Sequence, residues 1–171
     1  MKNEVIDIIK KRRTIRQYTG EVVTDEQIRT LLELGFAAPS AHNFQPWHFI
    51  VIKDKEVIEK IAGFHPYAKM LPKAGCAIVA CGDHEKQPMD GFIIEDTSAA
   101  IQNMLIGAES MGLSTVWCGI YPMEELVTPF RATLNIPEDV IPVGMVVVGH
   151  GDEEKPSNER YIEEKVHFNK W

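Results

Sequence analysis

Three cysteines in 171 residues are too few, and odd in number, for a disulfide framework, and Cys76, Cys81 and Cys118 all fall in apolar, strand-like runs. They read as small buried hydrophobes of a chain kept in a reducing compartment. No apolar run reaches the roughly 18 residues that a membrane-spanning helix needs. The opening MKNEVIDIIKKRR sets its charges behind a short apolar stretch, the wrong order for a signal peptide. A cytoplasmic location is expected. A GxxxxGK(S/T) loop, HExxH, GxSxG and CxxC are all missing, and none of the six histidines pairs at metal spacing with another histidine or a cysteine, so metal catalysis is not expected.

Two partial motifs fail on inspection. Gly149-His150-Gly151 follows a good strand as a dinucleotide-binding turn would, but Glu154 occupies the third glycine position and Pro156 follows. Trp117-Cys118-Gly119 resembles the start of a thioredoxin motif, but Tyr121 stands where the resolving cysteine would be.

What is present is an ordinary globular composition, 44% hydrophobic, with room for a single domain over residues 1–171 and no repeat, low-complexity segment or linker. A net charge of -7 argues against a general nucleic-acid binder. Yet five of the 18 basic side chains crowd into Lys10, Lys11, Arg12, Arg13 and Arg16, which suggests a local anion.

Val5, Ile8 and Ile9 have helical spacing over residues 4–12, and Thr24 with Gln27 forms a capping box for a second helix whose inner face is Ile28, Leu31, Leu32 and Gly35. Residues 47–52 and 76–81 read as strands, with Asp54 capping a short helix between them. The longest helical pattern runs from Phe92 to Met111 and stops at Gly112. Strand-like runs at 114–120 and 142–149 follow, separated by a helical stretch that Pro122 and Pro129 interrupt. This alternation predicts an α+β fold, a mixed sheet flanked by helices. The last twenty residues hold Tyr161, Phe168 and Trp171 among many charges and read as an arm laid across something else.

Three constellations carry chemistry. If the first helix continues, Arg12 and Arg16 share one face with Arg13 and the Thr14 hydroxyl beside them, a set able to grip phosphate or simply to complement a helix end. In PSAHNFQPWHF, residues 39–49, two prolines fix the backbone while Ser40, Asn43 and Gln45 offer groups that read polar ring edges or cap the preceding helix. On the long helix, Asp96, Ala99, Ala100, Asn103, Gly107 and Ser110 form a small stripe that permits close packing, either within the domain or against a matching helix across a two-fold axis.

In this order, RRTIRQY at 12–18, APSAHNFQPWHF at 38–49, EDTSAAIQNML at 95–105, GLSTVWCGIYP at 112–122 and a tail containing Arg160 resemble the nitroreductase family of FMN enzymes. The resemblance implies a homodimer holding two FMN molecules at the subunit interface, each touched by both chains, with the C-terminal arm reaching the partner. It implies that Arg12, Arg13, Thr14 and Arg16 hold the phosphate and ribityl chain, Arg12 together with Arg160. Pro39, Ser40, Ala41 and Asn43 would come from the other subunit, and Cys118, Gly119 and Ile120 would lie along the flavin with a backbone N–H directed at N5.

The implied reaction is ping-pong. NADH or NADPH reduces FMN and leaves, and a nitroaromatic, quinone or similar electron-poor acceptor is then reduced; the chemistry sits on the cofactor and no side chain is a catalytic acid or base. Same-fold chemistries such as dehalogenation, dehydrogenation or flavin fragmentation, and a non-enzymatic FMN carrier, are the alternatives. Departures from the pattern are Thr14 in place of serine, Asn158 where many members carry lysine, and His42 and Phe44 flanking Asn43, where they narrow the pocket or stack on a ligand.

Overall fold

The computed structural model describes residues 3–157 and 160–171. Helix α1 (Glu4–Lys11) begins where the Asn3 side chain accepts from the N–H groups of Val5 and Ile6, and it buries none of its residues. Helix α2 (Asp25–Phe36) carries the expected capping box, with Thr24 and Gln27 bonded reciprocally, and buries Ile28, Leu31 and Gly35. Strand β1 (Trp47–Ile52), helix α3 (Lys55–Phe64, capped by Asp54), strand β2 (Cys76–Asp83) and helix α4 (Asp90–Ser110) follow. The chain then forms strand β3 (Ser114–Gly119), helix α5 (Glu124–Leu134) and strand β4 (Val140–Gly149).

The α+β layout is as expected. The strands lie in the order β1-β2-β4-β3 and the three ladders are antiparallel; among the described residues a parallel pairing occurs at the bridge from Thr14 to Thr115. Both faces of the sheet are covered, which is why its central strands are apolar throughout. Ala77, Val79 and Cys81 of β2 pack with α3 and α5, while Cys76, Ile78 and Ala80 pack with α2 and α4. The free thiols of Cys76, Cys81 and Cys118 are all buried in these layers.

Two details depart from the sequence reading, and a third decides between alternatives it left open. Helix α1 ends at Lys11, because Arg12 turns to φ -50°, ψ 129° and the chain leaves extended. Pro129 does not interrupt α5, which continues to Leu134 with Leu126, Val127 and Phe130 buried: the burial of that face outweighs the loss of one backbone bond. The small stripe of α4 meets a helix of its own chain. A Cβ on Gly107 would fall 2.1 Å from Leu34 Cδ1, and Asn103 Nδ2 donates to the Leu34 carbonyl at 3.1 Å, so the close approach is to α2. Gly112, as expected, ends α4 in the left-handed region, at φ +73°.

Candidate functional site

The end of α1 and the tail after β4 are drawn together by Arg13. Its Nε donates to the Pro156 carbonyl at 2.8 Å, and its Nη1 donates to the carbonyls of Lys10 and Arg12 at 2.8 and 2.7 Å. Arg13 is therefore chiefly a brace, although its buried Nη2 meets no partner among the described residues. What it braces is a cleft of about 600 Å³ lined by Ile9, Lys10, Arg12, Arg13, Ser157, Arg160 and Tyr161. Half-buried Arg12 has its pKa pressed down, first by burial and then by the charges of Arg160 and Arg13, with Glu109 opposing. Like charges held together with so little compensation have the chemistry to receive an anion.

The extended backbone changes how Arg12, Thr14 and Arg16 share a face. They alternate with Arg13 and the buried Ile15, so the relevant period is two residues, not the helical 3.6. Over four residues an extended chain advances about 13 Å, so Arg12 and Arg16 stand well apart along this face. Thr14 is secured at both ends. It pairs with Thr115, and its carbonyl accepts from Lys155 Nζ at 2.8 Å. The Arg16 N–H donates to Glu153 at 2.7 Å, which together with Lys155 holds that carboxyl below its usual range and leaves the Arg16 side chain exposed.

The same bridge orients the outer edge of β3. Ile15 N donates to the Thr115 carbonyl at 3.0 Å, so the backbone groups of Thr115 point away from β4. Gly119 lies four residues further along a regular ladder and has the same orientation. Its carbonyl accepts from His65 Nε2 at 3.1 Å, while its N–H faces outward and meets no acceptor among the described residues. A Cβ at Gly119 would find only Met123 Cε, 4.0 Å away. The space over Gly119 is open, and any side chain there would project into it. Cys118 and Ile120, on either side, are buried.

Residues 39–45 sit apart from both features. Asp96 on α4 accepts the Ala41 N–H at 2.9 Å, Ser40 Oγ accepts the Gln45 N–H at 3.0 Å, and His42, Asn43 and Gln45 adopt φ of 53°, 57° and 50°. Three left-handed non-glycine residues in four are costly, and such conformations persist where surrounding structure fixes them. Pro39 and Asn43 are exposed, Ser40 and Ala41 half-buried, and the His42 and Phe44 rings lie 5.2 Å apart. Within one chain this loop does not line the arginine cleft.

Sequence reasoning singled out the arginines, the loop and the glycine, but not three groups that hold them in place: His65 behind Gly119, Asp96 beneath Ala41 and Glu153 beside Arg16. Only Asp96 left a trace, as an acid on an otherwise small or apolar stripe. Asn158 lies outside the described residues. The tail leaves Tyr161, Phe168 and Trp171 at 77%, 85% and 102% exposure, with only the neighbouring His167 ring stacked on Trp171 at 4.5 Å among the described residues.

The sequence model of the nitroreductase family matches residues 9–65 and 65–150. A protein of Methanothermobacter thermautotrophicus, provisionally named NADH dehydrogenase/NAD(P)H nitroreductase, is 39% identical over 170 residues, covering 99% of this chain and 89% of its own. A crystal structure from Parabacteroides distasonis with the same provisional name superposes with a TM-score of 0.95 at 34% identity, covering 99% of this chain and 100% of that one. A provisionally described nitroreductase of Desulfovibrio desulfuricans, solved in complex with FMN, gives a TM-score of 0.87 at 30% identity and covers 100% and 99%. The chain belongs to the nitroreductase family.

Proposed function

We propose that this chain is a single-domain, FMN-dependent oxidoreductase that passes electrons from NADH or NADPH to nitroaromatic, quinone or similarly electron-poor acceptors, acting as a cytoplasmic homodimer. The observation that carries the reading is the cleft where Arg12, Arg13 and Arg160 converge, since its charge suits a phosphate terminus and the next residue of the chain, Thr14, is bridged to Thr115 on the strand edge that also carries Gly119. Arg12 and Arg160 hold the phosphate there, Arg13 supports them, Thr14 offers its hydroxyl to the ribityl chain, and Arg16 supplies positive charge further along. Cys118, Gly119 and Ile120 flank the ring, where the free Gly119 N–H is a donor that no side chain obstructs.

Bound FMN supplies the redox chemistry, accepting two electrons from the nicotinamide and yielding them to the acceptor in a separate half-reaction. Pro39, Ser40, Ala41 and Asn43 serve the site of the opposite subunit. Their loop is prepared for contact, by Asp96 beneath and by its left-handed residues, yet it has no such role within its own chain. The uncovered aromatic tail is the element that embraces the partner.

The test is direct. The purified protein should be yellow, release FMN by mass analysis, and bleach anaerobically with NADH or NADPH. Double-reciprocal plots with a quinone or nitroaromatic should then be parallel. FAD alone, or no flavin after FMN is supplied, would overturn the reading, and intersecting lines would replace the two separate half-reactions with a ternary complex.

A further inference from the structure

His65 is wholly buried, and neither the cleft nor the loop accounts for it. It closes α3, where its N–H donates to the Ile61 carbonyl at 2.9 Å, and its ring meets Phe130 edge-on at a centroid distance of 6.0 Å. Both ring nitrogens have partners, and the partners determine which one carries the proton. The Tyr67 backbone N–H can only donate, so Nδ1, 3.2 Å away, is bare and accepts. The proton is therefore on Nε2, which donates to the Gly119 carbonyl at 3.1 Å. Burial also lowers the pKa of the ring, which favours this neutral form.

Gly119 needs an external support. It has no Cβ to narrow its backbone freedom, and it ends an edge strand with which no further strand pairs among the described residues. The peptide joining residues 119 and 120 is instead gripped from two directions: His65 holds its carbonyl, and its Ile120 N–H donates to the Val143 carbonyl at 3.2 Å. The Cys118 thiol donates to the Tyr67 carbonyl at 3.5 Å, which ties the same turn to the preceding residue.

We propose that His65 is a positioning residue, whose Nε2–H clamps the Gly119 carbonyl and so holds the peptide joining Gly119 to Ile120, and with it the end of β3, in place beside the flavin. The flavin as target rests on the FMN reading above. A histidine serving only to fill the core would depend on its volume and its Phe130 contact; a clamp depends on a donor at the position of Nε2.

Two variants separate the nitrogens. His65→Gln carries an amide donor near the position of Nε2, whereas His65→Asn keeps an acceptor for Tyr67 near Nδ1 but is too short to reach Gly119. Amide exchange at Ile120, read by NMR on the full chain with and without FMN, should be about tenfold faster in His65→Asn and within about threefold of wild type in His65→Gln. In the FMN-loaded enzyme, the rate of anaerobic bleaching at saturating nicotinamide should fall about tenfold in His65→Asn. FMN affinity and the nicotinamide concentration at half-maximal rate should move by less than about threefold, and His65→Gln should recover the rate. Equal exchange and equal rates in the two variants, or a loss in His65→Gln as large as in His65→Asn, would overturn the proposal. If wild type binds no FMN, the flavin target falls with that reading, whereas the Ile120 contrast still decides whether His65 clamps the peptide.

Discussion

Replacing Arg12 by glutamine removes one positive charge from a cleft that three arginines share. Burial and the charges of Arg160 and Arg13 press the Arg12 pKa down, so these like charges repel one another. Hydrogen bonds to charged groups contribute about 1.5–3 kcal/mol each, so Arg12→Gln should weaken FMN binding roughly ten- to a hundredfold. Riboflavin, which lacks the phosphate, should bind almost as before. The Tm of the flavin-free protein should hold or rise, because a like-charge contact is relieved while the Arg13 bonds to backbone carbonyls remain. Fluorescence quenching with both flavins, alongside thermal melts of flavin-free wild type and variant, measures all three quantities. Equal losses for FMN and riboflavin would remove Arg12 from the phosphate site, and a lowered Tm would show that the side chain supports the fold.

Gly107→Leu should lower stability by about 1–3 kcal/mol, since its side chain would enter the space of Leu34 on α2. Denaturant titration reads that loss, and weakened association with stability unchanged would move Gly107 to the subunit interface. Burial pushes the Cys76 and Cys118 thiols up to about 11 and Cys81 up to about 12. At pH 8 only about one thiol in a thousand, or fewer, is then a thiolate. A chromogenic disulfide reagent should react with none of the three until the chain is denatured, and rapid labelling in the native state would refute this.

Elements specified by local chemistry were legible in the sequence. Thr24 and Gln27 announce α2, Gly112 stops α4, and the apolar runs at 47–52 and 76–81 locate β1 and β2, because capping geometry, left-handed glycine and burial of both faces act over a few residues. What depended on distant partners was not legible. Arg12 to Arg16 looks helical from its basic spacing, but pairing of Thr14 with Thr115 holds it extended, an outcome decided a hundred residues away. The stripe on α4 shows that something packs closely, while only the fold reveals that it is Leu34 of the same chain. His65 carries no motif at all. Its importance follows from a carbonyl on β3 that tertiary structure brings to its ring.

The two halves of the proposed site bear on association as well as binding. In one chain the arginine cleft and the edge of β3 are joined through Thr14, whereas the loop at 39–45 is anchored to α4 by Asp96 and lines no part of that cleft. The same chain leaves Val5, Ile6 and Ile9 of α1 exposed, together with Tyr161, Phe168 and Trp171 of the tail. Apolar groups this numerous favour a covering surface at about 25 cal/mol per Å² buried, and on the proposed reading a second copy supplies it while bringing its loop to the cleft. A ligand touched by both subunits binds the dimer better than either monomer, so by mass action it must also tighten the dimer. Flavin retention and subunit association then become one linked equilibrium, in which Arg12 contributes on one side and the exposed tail on the other.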